Sequence, residues 1–168
     1  MFEINLDTFI ISDTHFGHKN IIKYCDRPEN HDEIMFDKWL GTVSIDDTVL
    51  HLGDLTFKNE HFMNIGVLPG KKYLIKGNHD HKRDSFYEAL GFTIVAPEMV
   101  EFQQGPRKII FTHYPETAVN YEWDVNIHGH IHNNGYVTKQ FGERLYINVS
   151  VEVMDYTPTK LRDILKEV

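Results

Sequence analysis

The sequence predicts an α/β fold in which two β-sheets pack face to face with helices outside. Three observations carry that expectation. The first half of the chain alternates β-rich apolar runs with segments of helical spacing, whereas the second half is a succession of short β-rich runs separated by turns. The chain is 41% hydrophobic and 12% aromatic over 168 residues, enough for one real core and too apolar for disorder. Finally, residues able to do chemistry stand repeatedly just after the apolar runs, where the loops of an α/β sheet converge on a ligand.

Taken in order, residues 4–12 (INLDTFIIS) read as a strand. Residues 19–25 and 30–43 have helical spacing, the latter through Ile34, Met35, Trp39 and Leu40. Residues 47–52 (DTVLHL) form a short strand ending at Gly53, and 58–66 a short helix. Residues 71–76 (KKYLIK) are a strand ending at Gly77, and 82–90 a helix stopped by Gly91 at its C-cap. Strands follow over 92–96, 99–103, 107–112, 123–128, 135–140 and 144–153. Pro158 then opens a last helix to about residue 167, since proline suits a first helical turn. No repeat, linker or low-complexity segment interrupts the series, so residues 1–168 read as a single domain.

Composition excludes several classes. No run approaches the ~18 apolar residues that span a bilayer. The net charge of −8 and the lack of a Lys/Arg run argue against a long nucleic-acid footprint and against anionic membranes. A single cysteine, Cys25, cannot form an internal disulfide, and the acidic N-terminal stretch lacks the basic region of a signal peptide. A cytoplasmic location is the expectation. Against this plain background stand 11 histidines.

Three of them crowd into Ile127-His128-Gly129-His130-Ile131-His132. Their meaning comes from partners elsewhere. FIIS is followed by Asp13-Thr14-His15, VLHL by Gly53-Asp54, YLIK by Gly77-Asn78-His79-Asp80, IIFT by His113, and VNI by the histidine triplet. The donors Asp13, His15, Asp54, Asn78, His113, His130 and His132 are oxygen and nitrogen ligands with no thiolate, a poor match to structural zinc. Seven ligands are too many for one transition metal. They supply the eight contacts of two four-coordinate ions if one carboxylate bridges, and such two-metal sites carry out phosphoryl and peptide hydrolysis.

The ordered blocks DTH, GD, GNHD, the histidine of THYP, and GHIH resemble the calcineurin-like metallophosphoesterase superfamily, with its pattern D-x-H, G-D, G-N-H-[DE], H and G-H-x-H. The Phe16-Gly17-His18 that follows the first block, and the segment Asn148 to Val153, resemble its small single-domain bacterial and phage branch. The resemblance implies a four-layer α/β/β/α sandwich of two mixed sheets with a dinuclear site at one edge. It implies that Asp13, His15 and His132 hold one divalent ion, that Asn78, His113 and His130 hold the other, and that Asp54 bridges them. The ions would be manganese first, with iron, zinc or nickel as alternatives. The implied activity is hydrolysis of phosphate esters, diesters or nucleotides foremost, by a hydroxide generated between the metals. His79 would serve as general acid, and Asp80 would orient its imidazole. A phosphomonoesterase, or a non-catalytic protein-binding scaffold like one retromer subunit of the same superfamily, is the alternative; the scaffold's ligand set is degraded, whereas all ligands stand here.

Two further residues are candidates for the substrate phosphate: His18, next to the first ligand loop, and Arg27, whose guanidinium suits phosphate geometry. His128 reads as packed in its strand or behind the ligands, His51 as core, and His31, His61 and His81 as solvated. Two look-alikes fail. Gly66 to Lys72 (GVLPGKK) lacks P-loop spacing, and no G-x-S-x-G elbow surrounds a serine.

Overall fold

The computed structural model describes residues 3–57, 65–95, 98–118 and 121–167. Two five-stranded mixed sheets form, as expected. The first runs β10-β1-β2-β3-β4 and the second β5-β6-β7-β9-β8. In chain order the strands are β1 (Phe9–Ile11), β2 (Thr48–His51), β3 (Lys71–Leu74), β4 (Phe92–Ile94), β5 (Met99–Gln104), β6 (Arg107–Thr112), β7 (Val125–His128), β8 (Thr138–Phe141), β9 (Arg144–Asn148) and β10 (Thr159–Lys160). The helices are α1 (Ile21–Cys25), α2 (His31–Thr42), α3 (Asp84–Ala89) and α4 (Leu161–Ile164). β1 to β4 are parallel, with β10 antiparallel on the free edge of β1. In the second sheet β6, β7 and β9 are parallel, flanked by antiparallel β5 and β8.

Strand alternation assigns the layers. Phe9 and Ile11 of β1 and Val49 of β2 join Met35 and Trp39 of α2, Tyr87 of α3 and Phe92 in one buried cluster on the outer face of the first sheet. Ile10 and Leu50, one position along, point the other way and meet Ile109, Phe111, Val125, Ile127 and Ile147 between the sheets. Met35 and Trp39 lie four apart on one helix face, and the indole N–H of Trp39 donates to the Pro69 carbonyl at 3.0 Å. The β6–β7 connection is tied to β7 and β9 of the second sheet. Asn126 accepts from the Glu116 N–H, the Tyr146 hydroxyl donates to the Glu116 carbonyl, and Arg144 donates to the carbonyls of Ala118 and Tyr121.

Several boundaries differ from the expectation. The last helix does not start at Pro158: residues 159–160 pair with β1, and the helical turns begin at Leu161, whose N–H donates to the Thr8 carbonyl. The run 144–153 is a strand only to Asn148, and residues 151–156 turn back on themselves through bonds from Met154 N and Tyr156 N to the Val151 carbonyl. The strand expected over 4–12 is confined to Phe9–Ile11, and that over 135–140 becomes Thr138–Phe141. Gly91 caps α3 as expected: its N–H donates to Glu88, and its φ of +80° suits glycine. The helix expected over 58–66 falls mostly outside the described residues, as does His61.

Candidate metal centre

The site grows from loops that stay zipped together after their strands end. Beyond β1 and β2, Asp13 N donates to the Gly53 carbonyl at 3.0 Å and His15 N to the Asp54 carbonyl at 2.9 Å. Beyond β6 and β7, Gly129 N donates to the His113 carbonyl at 3.0 Å. A bridge between Ser12 and Ser150 then joins the two sheets at this edge. The loops curl tightly. Asp13, His15, Asp54, His130 and His132 all adopt positive φ, between 47° and 70°, a conformation costing a non-glycine residue about 1–3 kcal/mol. Strain concentrated on these five side chains marks the site as built for something other than stability.

Two groups of ligand atoms result, each with its atoms within 4.8 Å of one another: Asp13, His15 and His132, and Asp54, His113 and His130. Asn78 belongs with the second group, its Oδ1 lying 2.9 Å from His113 Nε2 and 3.0 Å from His130 Nδ1. Asp54 faces both. Its Oδ1 accepts the His79 N–H at 2.8 Å, which leaves Oδ2 at 3.4 Å from His15 Nε2 and 3.5 Å from His113 Nε2. All seven ligands expected from the sequence therefore meet at one place.

The protein satisfies the back of Asp13, His113 and His132 and leaves other ligand atoms bare. Asp13 Oδ2 accepts from His130 N at 2.9 Å and from the Ser150 hydroxyl at 3.0 Å, while its Oδ1 is buried without a partner. His113 donates Nδ1–H to the Leu52 carbonyl at 2.8 Å, which turns Nε2 to the cluster. Both ring nitrogens of His15 are buried and unpartnered. A buried polar atom without a partner is costly, so such a constellation is the signature of atoms reserved for a cation. Burial, followed by the charges of His132 and Arg27, pushes the His15 pKa far down, so its imidazole is a neutral ligand. Burial also raises Asp54 above the ordinary carboxylate range against the pull of His113, a cost that divalent charge at this spot would reverse. His132 is held up to about 10: burial works against it, but Cys25, Glu152 and Asp13 together favour the imidazolium, so a cation arriving there displaces a proton. The donors thus fit divalent transition ions in chemistry and in orientation.

Close packing needs glycine at three points of the site; at Gly53 a Cβ would lie 2.6 Å from Gly77 N and 2.7 Å from His113 Nδ1. A Cβ on Gly129 would lie 2.0 Å from Ser12 Oγ and 2.2 Å from Asp13 Oδ2, and one on Gly77 2.3 Å from Asp54 Oδ1. The glycines of GHIH and GNHD are thus spaces that the ligand carboxylates fill.

Around the ligands, His79 is exposed, its ring 5.4 Å from that of His15. His18 is half-buried, 5.5 Å from His15 and stacked on Phe57 at 4.0 Å. Tyr114, half exposed, packs 4.3 Å from His130. Three expectations need correction. Asp80 does not orient His79. It is buried, with Oδ2 accepting from Asp54 N at 2.7 Å and Gly77 N at 2.9 Å, and Oδ1 from Leu55 N at 3.1 Å. It faces inward because three loop N–H groups there need an acceptor. Arg27 does not face the cleft either. Its side chain is fully buried, donating to the Asp13 and Thr14 carbonyls and to Glu152. His31, expected in solvent, is buried on the inner face of α2. His51 and His128 are buried as expected, and His81 is exposed. Sequence reasoning missed Glu152, Ser150 and the Thr14–His51 pair. In that pair, His51 Nε2 lies 3.0 Å from Thr14 Oγ1 and its Nδ1 accepts from Gly53 N at 3.1 Å, tying the first two ligand loops together. A glutamate within the alternating run NVSVEV was the available signal.

The fold and the clustered donors are those of a phosphoesterase-type domain with a candidate metal site. The chain belongs to the calcineurin-like phosphoesterase superfamily, whose domain description matches residues 6–151. Its relatives include an uncharacterized protein of Methanocaldococcus jannaschii, 34% identical over 94% of this chain and 89% of that protein. A crystal structure of a protein of unknown function from Aquifex aeolicus superposes with a TM-score of 0.73 at 28% identity, covering 96% of this chain and 98% of the other. A nuclease of Pseudomonas putida shares the fold, with a TM-score of 0.50 at 18% identity over 76% of this chain and 62% of that one.

Proposed function

We propose that this chain is a phosphodiesterase acting on small phosphate diesters or nucleotides, with two divalent transition ions, manganese foremost, at the site. Asp13, His15 and His132 hold one ion, Asn78, His113 and His130 the other, and Asp54 spans them. The observation that carries this reading is Asp54 Oδ2, placed 3.4 Å and 3.5 Å from histidines of the two ligand groups. Bound ions would supply a nucleophile from water at neutral pH and offset charge on the phosphoryl oxygens. Two dications against two carboxylates leave a local formal charge of about +2, attractive to phosphate despite the acidic chain.

The remaining steps belong to the chain's own side chains. His79 stands over the ligands, exposed, its backbone pinned to Asp54 Oδ1 at 2.8 Å. It is the group placed to give a proton to the leaving oxygen, a contribution of typically 10²–10⁴-fold. His18, half-buried beside His15, lines the approach of the phosphate. The exposure of His79 suits an ester with substituents on both sides of phosphorus.

The test is turnover of a bis-aryl phosphodiester and of the matching aryl monoester, by protein stripped of metal and reloaded with manganese. Asp54→Asn is the control. The expected result is diester hydrolysis that requires both metal and Asp54. A preference for the monoester would make the chain a phosphatase. No turnover of either ester with two ions bound would refute the phosphodiesterase and favour a binding scaffold on the same fold.

A further inference from the structure

Behind one half of the ligand set lies a buried relay. Asp26, at the end of α1, adopts positive φ and turns the chain, so that Arg27 enters beneath the loop carrying Asp13 and His15. There the guanidinium donates NH1 to the Thr14 carbonyl at 2.8 Å and NH2 to the Asp13 carbonyl at 2.7 Å. Its Nε and NH2 also reach Glu152 Oε1, at 2.8 and 2.5 Å. The same oxygen lies 2.8 Å from His132 Nδ1. The Arg27 and Glu152 side chains are 0% and 2% exposed. His132 Nε2 then faces Asp13 Oδ1, the unpartnered oxygen, at 4.0 Å. One arginine and one glutamate thus touch Asp13 and His132 directly, and His15 through the carbonyl of its neighbour Thr14. Neither touches Asn78, His113 or His130.

We infer that Arg27 and Glu152 are positioning residues that preorganise the Asp13–His15–His132 half of the metal site. This rests on the two-ion reading above. Glu152 keeps a hydrogen on His132 Nδ1 and so presents the Nε2 lone pair to the ligand pocket. A carboxylate in this position also fixes the ring and strengthens the imidazole as a donor. Arg27 neutralises that buried carboxylate, which alone would be costly, and clamps the strained Asp13–His15 loop through its carbonyls. The other half draws its orientation from elsewhere, His113 from the Leu52 carbonyl.

The same carboxylate stands near Cys25, and the Cys25, His132 and Glu152 ligand atoms lie within 4.8 Å of one another. A third cation there would meet the positive charge of the Arg27 guanidinium, which is bonded to Glu152 Oε1, while Glu152 Oε2 is buried without a partner.

The test is calorimetric titration of the metal-stripped chain with manganese, for wild type, Glu152→Gln and Arg27→Lys, with melting curves to establish folding. Wild type takes up two ions. In Glu152→Gln one affinity falls about 10–100-fold and the other stays within threefold, and Arg27→Lys falls between the two proteins. In the zinc-loaded wild type, proton NMR shows a strongly hydrogen-bonded His132 Nδ1–H, which Glu152→Gln removes while the His113 Nδ1–H persists. If Glu152→Gln fails to fold, Arg27→Lys alone decides by the same split. Affinities unchanged within threefold, or both falling together, would overturn the inference. So would a third equivalent of metal abolished by Cys25→Ser. A wild type that binds fewer than two ions would instead sink the two-ion reading itself, with the His132 Nδ1–H signal reporting on Glu152 separately.

Discussion

Replacing Asp80 by asparagine separates two accounts of that residue. As an orienting partner of His79, it would affect turnover alone. As found here, one buried carboxylate gathers three N–H donors, from Asp54, Leu55 and Gly77, and so pins the loop carrying Asp54 to the loop carrying Asn78 and His79. An amide of the same size carries no charge, and its NH₂ group meets N–H donors on one side. At least one of the three bonds is lost, and the others lose their charge assistance. With hydrogen bonds to charged groups worth about 1.5–3 kcal/mol, and a buried unsatisfied donor costing about 1–3 kcal/mol, the net loss is about 3–5 kcal/mol. For a chain of this size that lowers the melting temperature by roughly 6–20 °C. Burial raises the Asp80 pKa while the three N–H bonds lower it, so part of the cost of the charge is already present in the native protein and the lower end of the range is favoured. The assay is urea unfolding of the metal-stripped chain beside wild type, followed by manganese titration. A stability change under about 0.5 kcal/mol, with turnover nonetheless reduced, would refute this reasoning and restore Asp80 as a partner of His79.

Three other outcomes follow from the same geometry. His79→Ala keeps both ions but loses about 10²–10⁴-fold in diester turnover; turnover within threefold of wild type at full metal content would remove His79 from the proton transfer. Gly129→Ala forces a Cβ to 2.2 Å from Asp13 Oδ2, so it destabilises by about 1–3 kcal/mol and loses the ion of the Asp13 group; a melting temperature within 2 °C (roughly 1 kcal/mol or less) with both ions retained would contradict the packing. His51, wholly buried, has its pKa lowered by burial, and then by His113, from 6.5 to about 3. Below pH 6.5 the unfolded chain therefore binds a proton that the native state refuses, and stability falls as pH drops toward 3, by about 1.4 kcal/mol per pH unit from this residue. Urea unfolding of stripped protein between pH 6 and 4 shows a slope shallower by that amount in His51→Gln, and equal slopes would show that the native His51 titrates normally.

The candidate ligands were legible because a short-range pattern announces them: an apolar strand with a donor at its end, preceded by glycine at Asp54, Asn78 and His130. Geometry at a strand terminus is local, so Asp13, Asp54, Asn78 and His130 could be placed without knowing the rest of the fold. The positions of Asp80, Arg27 and His31 were not local questions. Whether a side chain after a strand points into the cleft or beneath it depends on which unsatisfied N–H and carbonyl groups the neighbouring loops present, and those loops are 25 residues away for Asp80 and 125 for the Arg27 contact with Glu152. The end of β9 was misread for a related reason. Asn148 to Val153 alternates as a strand would, yet Asn148 and Ser150 are buried with side chains bonded to each other, to the His132 carbonyl and to Asp13. The polar half of that alternation packs against the site, not against water.

The bond from the Ser150 hydroxyl to Asp13 spans 137 residues. Its consequence lies in synthesis and folding. Asp13 leaves the ribosome 137 residues before the Ser150 oxygen that holds its carboxylate and the neighbouring Val151 N–H that anchors its strand to the second sheet. Pairings of such high sequence separation form late, because the closure of a long loop must come first. A nascent chain therefore displays histidines and carboxylates without a formed ligand cage. On the two-ion reading, high-affinity metal capture waits for Ser150 and Val151, and a chain cut short before residue 150 carries all seven candidate ligands and yet lacks the site.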